Sequence, residues 1–132
     1  MKEQTLALIK PDAIAKRYQG LIIHEILEAG FEIKAMKMLH LTEEGAKAFY
    51  AVHKEKEFYE PLVEFMTSGS IIAMILEKEN AVADYRELMG PTDPGAAAEG
   101  TLRRKFAETT RRNAVHGSDS PDNAKKEIAF FF

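Results

Sequence analysis

The chain has 132 residues, of which 45% are hydrophobic and 30% are charged, and its formal net charge is -3 at pH 7. This length predicts one domain over residues 1–132, and the mildly acidic charge does not favour non-specific nucleic-acid binding. Because there is no cysteine, disulfides, thiolate catalysis and cysteine-based metal sites are excluded. With no apolar run of about eighteen residues, we expect a soluble cytoplasmic protein that has no membrane partner.

Hydrophobic periodicity predicts strands and helices in alternation along the chain. In chain order, the predicted elements are a strand at 5–9, a helix over 14–27, a strand at 31–39, helices from 43 and over 58–66, a strand at 70–76, a helix over 80–89, a helix over 121–127 and a strand at 128–132. This order predicts a ferredoxin-like βαββαβ sandwich of the α+β class, with a four-stranded antiparallel sheet and helices on one face.

Local signals mark where several of these elements begin and end. Thr42 and Ser120 occupy N-cap positions, and a proline follows Ser120 as the first helical residue. Gly30 has the position of a C-terminal glycine after the first helix. Lys10 ends the first apolar strand, and a charge at such a strand end points to the edge of the sheet where ligands bind. The long loop over 91–100 has no core stripe, which is typical of functional or interfacial loops.

His116 is the candidate reactive group, because its neighbours are small, polar and turn-forming, unlike those of a core histidine. Gly117 allows a tight turn, which predicts that His116 lies in a loop just before a short helix. A basic cluster precedes it and suits an anionic substrate, phosphate above all. The cluster consists of Arg103, Arg104, Lys105, Arg111 and Arg112. Taken alone, His116 fits a solvated surface histidine better, so the interpretation depends on the rest of the chain.

Two motifs together resemble the nucleoside diphosphate kinase family. They are Thr5-Leu6-x-x-Ile9-Lys10-Pro11-Asp12 and Asn113-x-x-His116-Gly117-Ser118-Asp119, with Gly90-Pro91-Thr92-Asp93-Pro94 and Gly100-Thr101-Leu102-Arg103 between them. The similarity extends over essentially the whole chain. The resemblance implies the ferredoxin-like fold and the transfer of the γ-phosphate of one nucleoside triphosphate to another nucleoside diphosphate.

The resemblance implies a ping-pong reaction in which His116 attacks the γ-phosphorus and carries the phosphate as a phosphohistidine. Glu127 matches the family's carboxylate that orients the histidine ring, and Ser118 is similar to its hydroxyl partner. Tyr50 resembles the aromatic hydroxyl close to the histidine. Without the resemblance, Glu127 would be interpreted as a solvated helix residue.

The resemblance also implies a nucleotide site. The residues at its phosphate-binding positions are Lys10, Arg86, Thr92 and Arg103. Asn113 and Lys10 correspond to residues that meet the sugar hydroxyls. Phe58 matches the aromatic on which the base stacks, and stacking accepts any base; on its own, Phe58 fits a core residue equally well. Mg²⁺ would enter with the nucleotide, bound by phosphate oxygens and water and not by a protein cage.

The implied partners are nucleoside di- and triphosphates and further copies of the chain. Relatives commonly continue beyond the position of Phe132 with an extension that packs on a neighbouring subunit, so the resemblance leaves hexamer, tetramer and dimer open. An alternative hypothesis is a nucleotide- or nucleic-acid-binding module that tracks phosphates with the basic cluster. Nucleic acid is not the expected partner, because no RNA-binding aromatic motif is present. An inactive regulatory protein is disfavoured because every catalytic position is filled.

Overall fold

The computed structural model describes residues 2–132. Strands and helices alternate over this range as the hydrophobic periodicity predicts. In chain order they are β1 (Glu3–Ile9), α1 (Pro11–Ala15), α2 (Gln19–Glu28), β2 (Glu32–Leu39), α3 (Glu43–Phe49), α4 (Tyr59–Met66), β3 (Ile71–Lys78), α5 (Ala81–Met89), α6 (Leu102–Phe106), β4 (Val115–Gly117) and α7 (Pro121–Phe131). Short 3-10 turns lie at Ala51–His53 and Pro94–Ala96. None of the helices in residues 2–132 is long and apolar enough to cross a membrane.

The strands form one four-stranded sheet in the order β2-β3-β1-β4, and every neighbouring pair is antiparallel. β1 is central and pairs with β3 along its whole length, from Glu3 opposite Lys78 to Ile9 opposite Ile72. The short edge strand β4 pairs with the end of β1 and places His116 opposite Leu8. This arrangement confirms the predicted ferredoxin-like fold and brings His116 to the end of the central strand.

The core has two layers, one on each face of the sheet. Because side chains alternate along a strand, Ala7 and Ile9 of β1 pack with α2 and α5 on one face. Leu6 and Leu8 pack on the other face with residues of α3, α4 and α7. The prediction that the helices lie on one face of the sheet is therefore wrong, because helices cover both faces. The physical reason is that β1 is buried on both sides from Thr5 to Ile9 and needs a cover on each.

The predicted terminal strand at 128–132 is wrong, because α7 continues as a helix to Phe131. A short apolar run does not by itself distinguish a strand from a buried helical turn. Ile128 and Phe131, three positions apart, face the core, whereas Phe130 and Phe132 remain exposed. The fourth strand is β4 instead, so His116 lies in a strand and not in the predicted loop.

The observed helix boundaries agree with the predicted ones at two N-caps and differ from them elsewhere. Both predicted N-caps are confirmed: the Thr42 side chain accepts a hydrogen bond from the Gly45 amide and the Ser120 side chain one from the Asn123 amide. The predicted helix over 14–27 is instead two helices, α1 and α2, which are separated where Arg17 takes a positive φ of 63°. Helix α6 was not predicted, because its five residues are too few for a periodic signal.

Candidate active site

The candidate site consists of two neighbouring cavities beside the ends of β1 and β4. The first, called here the histidine cavity, has a volume of about 460 Å³, and its lining includes Arg86, Thr92, Arg103, His116 and Glu127. The second, called the side cavity, has a volume of about 540 Å³, and its lining includes Lys10, Tyr50, Phe58, Thr92 and Asn113. Thr92 lines both cavities, so they adjoin. The structure thus brings together the site residues predicted from the sequence, and Ser118 joins them through a hydrogen bond to Glu127.

His116 is held by a carboxylate from the last helix. Its Nε2 atom lies 2.9 Å from Oε1 of Glu127. The same oxygen accepts a hydrogen bond of 2.8 Å from the Ser118 hydroxyl. Because a carboxylate oxygen only accepts, we infer that Nε2 carries the proton and that Nδ1 keeps its lone pair. The ring therefore presents one nitrogen suited to attack an electrophile.

Ser118 connects this pair to the centre of the sheet. Its side chain is almost fully buried, and its hydroxyl oxygen accepts a hydrogen bond of 3.3 Å from the Leu6 amide. The Ser118 amide donates to the Leu6 carbonyl at 3.2 Å. The side chain of Phe49 adds an edge-to-face contact with the His116 ring, with centroids 5.6 Å apart. The imidazole is therefore positioned by β1, α3 and α7 together.

Arg103 is a buried cation that joins two backbone segments of the site. Its guanidinium donates to the Gly90 carbonyl and to the Val115 carbonyl, both at 3.0 Å. Burial, together with the nearby charge of Arg86, lowers the pKa of Arg103, although Tyr85 acts in the opposite direction. An arginine stays charged at neutral pH despite such a shift. The histidine cavity therefore holds two guanidinium groups whose repulsion an anion would relieve.

Lys10 is buried at the end of β1, with 6% of its surface exposed. Burial and the charge of Arg103 lower the pKa of Lys10 to about 8, while Asp12 acts in the opposite direction. Most Lys10 side chains are therefore still protonated at pH 7. This charge lies in the wall of the side cavity, where a bound anion would stabilise it.

Two polar side chains of the side cavity have buried atoms that lack a hydrogen-bond partner among residues 2–132. These atoms are the Tyr50 hydroxyl and Oδ1 of Asn113. The amide nitrogen of Asn113 is engaged, since it donates to the Thr110 carbonyl at 2.8 Å. Burial, and then the charge of Glu127, raises the pKa of the Tyr50 phenol, so its hydroxyl remains a donor at neutral pH. A buried polar atom without a partner is costly, so both atoms lower the stability of this cavity wall.

Phe58 lies at the rim of the side cavity, not in the core. The residue is 42% exposed, and its ring packs against the His53 ring, with centroids 5.2 Å apart. Across the same cavity lie Thr109, Thr110 and Arg111. Phe58 therefore leaves aromatic surface accessible beside the polar side chains of this cavity, a combination suited to a planar ring joined to a polar group.

Asp12 is a site residue for which the sequence indicated no role, although it belongs to the first motif. It is buried, and Oδ2 accepts a hydrogen bond of 3.0 Å from the Ala114 amide. Burial raises the pKa of Asp12, while backbone hydrogen bonds from Ala13 and Ala114 oppose the shift. The contact joins residues 102 positions apart, so no local pattern could have revealed it.

Metal-binding side chains do not converge at a common point in the part of the chain that the structure describes. Within residues 2–132, no group of three or more His, Asp or Glu side chains is arranged to hold a metal ion. In the histidine cavity, Oε1 of Glu127 is engaged with His116 and Ser118, and Asp119 supplies the other carboxylate of the lining. Two carboxylates supply fewer oxygen ligands than a divalent cation takes, so such an ion would draw its remaining ligands from other groups.

Known proteins with similar sequences identify the family of this chain. The sequence model of the nucleoside diphosphate kinase family matches residues 3–132. A nucleoside diphosphate kinase of Psychromonas ingrahamii is 57% identical over 130 residues, which are 98% of this chain and 90% of the relative. One of Chlorobaculum parvum is 58% identical over 130 residues, with 98% and 93% covered.

Solved structures agree with the sequence relatives. The nucleoside diphosphate kinase of Aquifex aeolicus has a TM-score of 0.98 and 44% identity, with 100% of this chain and 96% of that chain covered. A halophilic nucleoside diphosphate kinase of Halobacterium salinarum, solved in complex with CDP, has a TM-score of 0.96 and 36% identity, with 100% and 88% covered. The chain therefore belongs to the nucleoside diphosphate kinase family, and it transfers the γ-phosphate of a nucleoside triphosphate to a nucleoside diphosphate in a ping-pong cycle through a phosphohistidine.

Proposed function

We propose that His116 is the residue that becomes phosphorylated, and that Nδ1 is its reacting atom. The observation that carries this proposal is the contact of 2.9 Å between Nε2 and Glu127, which leaves the other ring nitrogen free. The Ser118 hydroxyl supports the role of Glu127, since it donates to the same oxygen. Glu127 and Ser118 then act as the groups that orient the ring and stabilise the positive charge it gains on attack.

Two in-line transfers complete the cycle. In the first, the lone pair of Nδ1 forms a bond to the γ-phosphorus, and the bond to the bridging oxygen breaks with its electrons passing to the departing diphosphate. In the second, a terminal oxygen of the acceptor diphosphate attacks the phosphorus. The N–P bond breaks, its electrons return to Nδ1, and a new triphosphate leaves.

The phosphates would be held by the cations and donors of both cavities. Arg86 and Arg103 line the histidine cavity, Thr92 lies at the junction, and Lys10 lies in the side cavity. Charge of this kind stabilises a transferring phosphoryl group because it is positioned before the reaction begins. The buried setting of Arg103 strengthens its interaction with an anion.

The sugar and the base would occupy the side cavity. Asn113 and Lys10 would meet the sugar hydroxyls; both residues line this cavity, as does Tyr50. The exposed face of Phe58 would stack on the base. A relative solved in complex with CDP supports nucleotide binding by this fold. Since stacking uses a face that every base has, we propose broad base tolerance.

Mg²⁺ is the cofactor that we propose, and it would arrive on the nucleotide. The donor set of the histidine cavity fits this route, because cations dominate it and Glu127 is engaged with His116. Phosphate oxygens and water would be the main ligands. When bound, the ion neutralises charge on the phosphates that are being transferred.

We also propose that the protein is a homo-oligomer that works in the cytoplasm, where its nucleotide substrates are found. The support for assembly is strand β2, which lies at one edge of the sheet. Its residues Met36 and Met38 are 52% and 56% exposed. An edge strand with exposed apolar side chains readily pairs with another chain.

The proposal is tested by incubation with γ-labelled ATP and Mg²⁺. Wild-type protein should gain a label that is acid-labile and alkali-stable, and GDP should discharge it. His116→Ala should gain none, whereas the control His24→Ala, at an exposed position of α2, should match wild type. If His116→Ala is labelled as strongly as wild type, His116 is not the nucleophile. An unlabelled wild type that still binds nucleotide would favour the binding module instead.

A further inference from the structure

A strained turn lies between two residues of the proposed site. The Val115 amide donates to the Asn113 carbonyl at 2.8 Å, which closes a three-residue turn around Ala114. Ala114 has a φ of 71°. A turn of this kind is rare, and a residue with a Cβ atom pays a strain energy to enter the left-handed region. The surrounding structure must therefore hold Ala114 in place.

Two contacts from the segment that follows β1, where α1 begins, do so. The Ala114 amide donates to Oδ2 of Asp12 at 3.0 Å, and its carbonyl accepts from the Lys10 amide at 2.8 Å. Asp12 and Ala114 are both buried. The Lys10 contact uses backbone atoms, which almost any residue supplies. The Asp12 contact uses a side chain and is therefore the one that the sequence specifies.

The turn sets the distance between the two halves of the site. Asn113, on one side, lines the side cavity, and His116, on the other, lines the histidine cavity. Val115 holds Arg103 through its carbonyl at 3.0 Å. A change of φ at Ala114 would move Asn113 relative to His116, because few rotatable bonds separate them. Displacements of about 1 Å at a reacting centre reduce rates by as much as about 100-fold.

We propose that Asp12 is a positioning residue that holds Ala114 in its strained conformation and so aligns His116 with a nucleotide bound beside Asn113. The inference rests on the role proposed above for His116. Asp12 touches neither of the reacting groups, and it acts through the backbone of the turn. Its required feature is an acceptor oxygen at the Ala114 amide.

A competing explanation is that Asp12 acts by its negative charge on Lys10. Asp12→Asn separates the two, because an amide oxygen accepts the same hydrogen bond without the charge. Ala114→Gly tests the strain itself, since glycine enters the left-handed region without cost. Asp12→Ala and Ala114→Gly, made singly and together, form a double-mutant cycle. The cycle measures the interaction energy between Asp12 and Ala114.

The experiment measures the rate of phosphohistidine formation by rapid quench, with thermal unfolding recorded for each variant. Asp12→Ala should slow phosphorylation by roughly 10- to 100-fold, and Asp12→Asn should stay within about threefold of wild type. In the Ala114→Gly background, Asp12→Ala should cost less than about threefold. Hydrogen exchange at the Ala114 amide should accelerate in Asp12→Ala and remain slow in Asp12→Asn.

Several outcomes would overturn the positioning role. If Asp12→Ala reduces the phosphorylation rate equally in the wild-type and Ala114→Gly backgrounds, Asp12 does not act by holding the strained conformation of Ala114. An Asp12→Asn variant as slow as Asp12→Ala would favour the charge on Lys10. If Asp12→Ala does not fold, Asp12→Ser, whose hydroxyl is too short to reach, takes its place in the cycle. A wild type that is not phosphorylated refutes the proposed nucleophile instead, so the two failures are distinct.

Discussion

The Oε1 atom of Glu127, on the last helix, lies 2.9 Å from Nε2 of His116, on the edge strand. The two residues come from elements that pack on the same central strand, and Ser118 connects both to β1. The relationship assigns a different task to each ring nitrogen of His116. One is held, and the other is available for reaction.

Removal of the Glu127 carboxylate should slow phosphorylation without abolishing nucleotide binding. Glu127→Gln keeps an acceptor oxygen but loses the charge that stabilises the imidazolium, so we expect a loss of roughly 10-fold, and roughly 100-fold for Glu127→Ala. Rapid-quench measurement of phosphoenzyme formation gives these rates. Glu28→Gln, at an exposed position of α2, is the matched control. Wild-type rates in Glu127→Ala would show that the ring does not need this partner.

Phe58→Ala should weaken the binding of every nucleotide to a similar extent. Stacking on one aromatic ring contributes about 1–3 kcal/mol, so the Kd of ADP, GDP and CDP should rise by roughly 5- to 150-fold each. Calorimetric titration measures the three values. Phe132→Ala, which removes another exposed phenylalanine, should leave them unchanged. A loss confined to one base would indicate recognition by hydrogen bonds and would contradict the stacking role.

The sequence predicts those parts of the fold that carry strong local signals. Strand β1 is one continuous apolar run, and the helices that begin after Thr42 and Ser120 have capping side chains that the structure confirms. Strand β4 has only three residues, including Gly117, and no periodicity marks it. Phe130 and Phe132 extend the apolar run at the end of the chain, so that this run resembled a strand. In the structure both residues are exposed.

The site could be predicted from its motifs but not from local physics alone. Lys10 and His116 attract attention as a charge at a strand end and a histidine among small residues. The roles of Glu127 and Phe58 came only from the family resemblance, since each also fits a common helix residue. Contacts such as that from Asp12 to Ala114 depend on tertiary structure, because 102 positions separate the partners.

Gly117→Ala should destabilise the protein and reduce its activity. A Cβ atom at this position would lie 2.6 Å from Cδ2 of Tyr85 and 2.8 Å from Cε of Met89, so α5 and β4 would have to move apart. Overpacking of this kind costs about 1–3 kcal/mol of the free energy of unfolding. Urea denaturation measures it, and the neighbouring His116 should react more slowly.

The control for this substitution is Gly20→Ala. Gly20 lies in α2, and nothing would come within 4 Å of its Cβ atom. Alanine favours helix by up to about 1 kcal/mol relative to glycine, so Gly20→Ala should be neutral or stabilising. Equal destabilisation by both variants would show that the close approach of β4 to Tyr85 is not the cause.

Lys10 should couple nucleotide binding to proton uptake. Burial, followed by the charge of Arg103, lowers the pKa of Lys10 to about 8. At pH 8, about half of these side chains are neutral in the free protein, and a bound polyanion would favour the charged form and raise the pKa. Binding of ADP should therefore take up about half a proton at pH 8. At pH 6 Lys10 is already protonated, so its share of the uptake should vanish.

Calorimetric titrations in two buffers of different ionisation enthalpy measure this uptake. Lys10→Met keeps most of the buried stem but has no titrating group, so its uptake at pH 8 should fall to near zero while some binding remains. The affinity of wild type for ADP should weaken as pH rises through 8, and that of Lys10→Met should change little over the same range, because only wild type loses a cation there. If both proteins take up the same number of protons at pH 8, the uptake belongs to another group and the assignment to Lys10 is wrong.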